Sequence, residues 1–75
     1  QIAGFSEGSD EIIKRSYKNC ISFWYYTNNK LTAVDAFNDP TSYFIGKRLL
    51  DDGKSISKEV VSDININLKD FLLNK

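Results

Sequence analysis

Histidine and methionine are absent from these 75 residues, cysteine and proline occur once each, and glycine only four times. Without histidine there is no imidazole base, and neither a Cys/His nor a His/carboxylate metal set can be assembled. The lone Cys20 excludes an internal disulfide and is expected to serve as a small buried hydrophobe. Lys18 stands near it, but a redox thiol would also want a resolving cysteine. Gly4 and Gly8 are too sparse to cradle a phosphate and read as turn residues; no GxGxxG, P-loop or HExxH pattern occurs. Lys plus Arg number 10 and Asp plus Glu number 10, so the basic excess that draws nucleic acid or anionic lipid is missing. No apolar run approaches the roughly 18 residues that a membrane-spanning helix needs. A single reduced cysteine and no span set the expectation of a cytoplasmic protein without membrane contact. No nucleophile–base pair is legible, so the chain alone is expected not to be an enzyme, with no catalytic, cofactor-binding or metal-binding residue. A methionine-free sequence that opens "QIAGF", apparently inside a strand, is expected to be part of a longer polypeptide.

What is present points to one folded domain over residues 1–75. The apolar fraction is 41%, with one Trp, four Tyr and five Phe, which argues against disorder. Residues 1–5 read as a short strand ended by the turn-rich "SEGSD". Residues 11–17 form a second strand candidate, although the pair Ile12 and Ile13 leaves a helix open. Residues 20–26 are dense in β-branched and aromatic side chains and are the strongest strand signal. Asn28 and Asn29 suit a two-residue hairpin turn, and residues 31–37 return as the fourth strand.

A two-residue loop at Asn28 and Asn29 sets Tyr25 against Thr32, Phe23 against Val34 and Ile21 against Ala36. The opposite face then holds Tyr26 with Leu31, Trp24 with Ala33, Ser22 with Asp35 and Cys20 with Phe37. Both faces are apolar, so both want cover. One cover is "NDPTSYFIGKRLLDDG", a helix with Asp39 as N-cap, Pro40 at its first position and Gly53 just past its end. Phe44 or Ile45, with Leu49, gives it an inward stripe. Gly46 costs such a helix about 1 kcal/mol relative to Ala, which a close approach to the sheet would explain. Two short helical turns follow. Ser57 caps the first, with Ile56 and Val61 as its hydrophobic staple; Asn67 caps the second, with Ile66 and Phe71. The expected fold is α+β in two layers: an antiparallel meander of about four strands, with one main helix and short C-terminal helical turns on one face.

Phe23 and Tyr25 are expected to form core with the helix. That leaves Trp24, Tyr26 and Leu31 on the other face as the contact surface for another domain or partner. A base-stacking platform is the competing use of such aromatics, but those modules add Lys and Arg on the same sheet face. Here strands three and four offer only Lys30. Asp35 is the most interesting carboxylate, flanked by Val34, Ala36 and Phe37. The ordinary reading, a carboxylate that pairs with a basic residue or caps backbone, is preferred over a buried acid tuned for chemistry. Asp51 and Asp52 close the helix where cations are favoured and read as solvated, with Lys54 to offset them.

The ordered set "QIAGFSEGSDEIIKRS", an aromatic strand, "LTAVDAFNDPTSYFIGKRLLDDG" and "LKDFLL" resembles the C-terminal domain of bacterial ferredoxin reductases of the putidaredoxin and rubredoxin type. The resemblance spans nearly the whole chain and is strongest at residues 1–4 and 33–38; Asn67 stands where many relatives have proline. It implies the fold of the reductase C-terminal, dimerisation-like domain and a larger flavoprotein of which residues 1–75 are a C-terminal piece. It further implies that FAD and NAD(P)H belong to preceding domains, with no cofactor on these residues. The implied partners are those upstream FAD- and NAD-binding domains, a ferredoxin or rubredoxin, and a second copy of the chain. Trp24, Tyr26 and Leu31 would be the interdomain anchors. The alternative is a stand-alone module for protein or single-stranded nucleic acid.

Overall fold

Asn28 and Asn29 both adopt positive φ, 52° and 67°, as the tightest hairpin loops require. They join β3 (Cys20–Thr27) to β4 (Lys30–Phe37). A second two-residue loop, in which Lys18 takes φ 55°, joins β2 (Glu11–Tyr17) to β3. β1 (Ile2–Gly4) pairs with the far side of β4, so the antiparallel sheet runs β1-β4-β3-β2. The computed structural model describes the backbone of residues 1–73 and the side chains of residues 1–70.

The helix α1 (Pro40–Asp51) begins as its sequence dictates. Asp39 Oδ1 accepts from the Ser42 amide at 3.1 Å and its Oδ2 from the Ser42 hydroxyl at 2.6 Å. Gly53, at φ 67°, turns the chain just past the helix. Lys47 pairs with Asp51 and Arg48 with Asp52 at one-turn spacing, so the two terminal carboxylates find their cations inside the helix rather than at Lys54. Ile45 and Leu49 face inward while Phe44 is exposed. Gly46 is where the helix meets the sheet: a Cβ there would lie 2.8 Å from Val34 Cβ. That close approach is why the helix tolerates its one glycine.

Two short helices complete the layer, α2 (Lys58–Ser62) and α3 (Leu68–Leu73). Ser57 Oγ accepts from the Val60 amide, and Ile56 and Val61 on either side of that cap are both buried. Asn67 Oδ1 accepts from the Lys69 amide at 3.0 Å. The expected staple partner Phe71 lies outside the described side chains.

The pairing of β3 with β4 departs from strict alternation at one residue. Tyr26 opposes Leu31 as expected, but Tyr25 opposes Ala33, leaving Thr32 as a bulge. Beyond it every partner moves by one: Trp24 faces Val34, Ser22 faces Ala36 and Phe23 faces Asp35. Thr32 Oγ1 donates to the Tyr25 carbonyl at 3.2 Å, within the bulge.

That one residue exchanges the faces. In the unbulged register Asp35 shares a face with Trp24, while Val34 and Ala36 back Phe23, which made the Phe23 side look like core. In the folded protein Val34 and Ala36 join Trp24, and Asp35 goes to the other side. The expectation that Trp24, Tyr26 and Leu31 form an external contact surface is therefore overturned. All three are buried in the domain's own core with Val34, Ile45, Leu49, Ile56, Val61 and Leu68. Phe23 and Tyr25 stand on the uncovered side.

Candidate functional site: the open face of the sheet

Successive side chains of a strand alternate between faces, and the register assigns each one. The covered side carries Ile13 and Arg15 from β2, Ser22, Trp24 and Tyr26 from β3, and Leu31, Val34 and Ala36 from β4. Its polar atoms are satisfied internally. Trp24 Nε1–H donates to Ser22 Oγ at 2.9 Å, and the Tyr26 hydroxyl donates to the Ile56 carbonyl at 2.9 Å. Burial pushes the Tyr26 hydroxyl well above the usual tyrosine range, helped by the charges of Glu59 and Glu11.

The open side has no layer among the described residues. Its side chains form three cross-strand rows: Ile12, Tyr25 and Ala33, the last beside Gly4 of β1; then Lys14, Phe23, Asp35 and Ile2; then Ser16, Ile21 and Phe37. Ile12, Phe37 and Ile2 are 54%, 51% and 52% exposed, while Ile21, Phe23 and Tyr25 are half-buried by their neighbours. Phe23 and Phe37 meet edge to face, with ring centroids 5.9 Å apart. Two opposite charges interrupt this apolar field, Lys14 and Asp35, on either side of Phe23. An exposed apolar surface of this kind is a candidate contact site. Chemically it can bury area and match charge.

A second feature lies at the edge of the covered layer. The Arg15 guanidinium donates from Nη1 to the carbonyls of Val61 and Asp63, both at 2.9 Å, and from Nη2 to that of Ile66. Burial lowers its pKa from the usual arginine value, against the opposing charges of Asp39 and Asp63. A hollow of about 380 Å³ opens beside it, bordered by Cys20, Asp39, Ile64 and Asn67 among others. The guanidinium is committed to main-chain carbonyls, so it acts as a clamp on the segment between α2 and α3 rather than as an anion receptor. Cys20 is half-buried and free. No cluster of three or more metal-ligating side chains occurs among the described residues, and no described helix is long and apolar enough to cross a membrane.

β3 divides its aromatics between the two faces, Trp24 and Tyr26 to the covered side and Phe23 and Tyr25 to the open one. Trp24, Tyr26 and Leu31 are brought together, but under the helices. The residues left on the uncovered face are instead Ile12, Phe23, Tyr25 and Phe37. The signal that could have found them was Asp35: a charge is cheaper on the side that stays wet before assembly.

The chain matches the reductase C-terminal family over residues 1–72. Its fold is similar to the ferredoxin reductase for the CYP199A2 system from Rhodopseudomonas palustris. That similarity has a TM-score of 0.86 and 25% identity, covering 93% of this chain and 18% of that one. It is equally similar to the covalent putidaredoxin reductase–putidaredoxin complex, with a TM-score of 0.86 and 27% identity over 97% of this chain and 18% of that chain. The chain thus spans under a fifth of the solved structures it resembles. Among curated proteins none matches it.

Proposed function

This chain belongs to the reductase C-terminal family, and from that premise we propose that it is the non-catalytic C-terminal domain of an FAD-dependent NAD(P)H:ferredoxin oxidoreductase. In that role it packs on the flavin-binding domains and helps to dock the iron–sulfur redox partner or a second subunit. The observation that carries the reading is the open face. A sheet with Ile2, Ile12 and Phe37 about half exposed wants a second layer, and the similar solved chains are several times longer than this one. One of them is named as a complex of putidaredoxin reductase with putidaredoxin, which supports a ferredoxin-type partner here. On this reading hydride and electron transfer are chemistry of the flavin and nicotinamide carried by the preceding domains. The present residues contribute a wall and a docking surface.

The test is spectroscopic. The purified product of the whole gene should show flavin absorbance that bleaches on addition of NADH or NADPH and recovers on addition of an oxidised ferredoxin. A gene product without flavin would overturn the reading. It would leave the stand-alone interaction module, for which the aromatics Phe23, Tyr25 and Phe37 are the specific attraction. The open face offers single-stranded nucleic acid only Lys14 and, at its hairpin end, Lys30, few cations for a phosphate chain. Salt-dependent oligonucleotide binding would single out that alternative.

A further inference from the structure

Asp35 is an anomaly on the open face. It lies in the middle row, between Phe23 on β3 and Ile2 on β1, and its side chain is 26% exposed. The one cation within 4.0 Å of it among the described residues is the α-ammonium of Gln1. That group becomes an uncharged amide wherever a polypeptide continues before Gln1. Lys14 shares the row but stands two strands away across Phe23, roughly 10 Å at ordinary strand spacing. An apolar layer laid over this row would strip water from the carboxylate and return nothing. A buried charge without a partner is strongly destabilising.

We infer that the layer covering the open face is the flavin-binding part of the same polypeptide and that it presents an arginine or lysine side chain to Asp35, which makes this carboxylate the specificity-determining residue of the interdomain contact. The inference rests on the proposed function for the identity of the occupant and goes beyond it in stating the occupant's chemistry. Arginine fits best, because its planar fork can take a carboxylate in two parallel hydrogen bonds while its face stacks on an aromatic ring such as Phe23. Lys14, at the other end of the row, asks the same layer for an acceptor. The opposed charges therefore set one orientation of the layer and penalise its reverse.

The experiment uses the whole gene product and the variants Asp35→Asn and Asp35→Lys. Flavin absorbance is recorded first; a protein without flavin overturns the proposed function and this inference together. In a flavin-containing protein, limited proteolysis should release the C-terminal domain on the order of tenfold faster in Asp35→Lys than in the unaltered protein, with Asp35→Asn between them. An apolar dye should bind the freed face in step with release. Both substitutions are also made in the 75-residue chain alone, where retained circular dichroism shows that the domain still folds. Unchanged release in both variants, with flavin bound, overturns the inference and leaves the proposed function standing. Release unchanged but a dimer split into monomers by Asp35→Lys overturns it as well, in favour of a second copy as the occupant.

Discussion

On one side of β3 stand Ser22, Trp24 and Tyr26, and on the other Ile21, Phe23 and Tyr25; the first three are buried and the second three are not. By composition the second set is the more apolar: each has one phenol, but the first adds a serine and an indole N–H where the second has isoleucine and phenylalanine. What separates them is satisfaction and clearance. The indole has Ser22 and the phenol has the Ile56 carbonyl, so the large side chains on the covered side give up water without leaving a polar atom unpaired. Across the strand, Gly46 lets the helix come down on Val34. The open side has Asp35 where the covered side has Val34 and Ala36. A face is chosen by where its polar atoms can be satisfied, more than by how greasy it is.

The sharpest way to break this comparison is to truncate one aromatic on each side. Trp24→Ala should cost about 3–5 kcal/mol, as large core truncations do, and leave the 75-residue chain largely unfolded by circular dichroism. Next in size is Gly46→Ala. Helix propensity favours it by about 1 kcal/mol, yet the clash with Val34 should reverse the sign and lose about 1–3 kcal/mol in urea melts. A more stable Gly46→Ala chain would mean that helix and sheet can separate without penalty. Arg15→Met should cost about 1–3 kcal/mol by taking the donor from the Val61 and Ile66 carbonyls, while the Asp63 carbonyl keeps the Ile66 amide; the loss is read as faster hydrogen exchange between Val61 and Ile66.

Tyr26 gives a smaller, pH-dependent term. Its folded pKa is raised by burial, so the folded state holds the proton more tightly than the unfolded state. The stability this contributes is intact below about pH 10, the unfolded value, and is lost as pH rises beyond it. Tyr26→Phe should cost about 1 kcal/mol at neutral pH and flatten the alkaline loss. Smallest in stability is Phe23→Ala, expected below about 1 kcal/mol in the isolated chain because the ring is only half-buried. Its effect should appear in association instead: the isolated chain should self-associate at high concentration and bind an apolar dye, and the variant should do both less. Sedimentation and dye fluorescence check this.

Most of the architecture was legible because its signals are local. Asp39 before Pro40, Asn28 beside Asn29, and Ser57 between Ile56 and Val61 each fix an element within a few residues. The antiparallel order and the two-layer class follow from them. The faces were not legible because they depend on a single bulged residue, Thr32, that nothing nearby announces: threonine is at home in an ordinary strand. A register error of one residue inverts every later assignment, which is why strict alternation puts Trp24, Tyr26 and Leu31 on the outer face. The Arg15 clamp was invisible for a different reason, since its partners are carbonyls 46 to 51 residues away.

The middle row of the open face has a geometric property of its own. A half-turn about an axis along β3 carries Lys14 onto the place of Asp35 and Asp35 onto that of Lys14, while Phe23 and Tyr25 come to face their own images. The surface is thus its own approximate complement in charge as well as in apolarity. On the proposed function, a domain cut free of the flavin-binding part would find in another freed domain a serviceable stand-in for the lost layer. Fragments released by nicking should then accumulate as discrete symmetric pairs, a closed arrangement, rather than as open-ended aggregates.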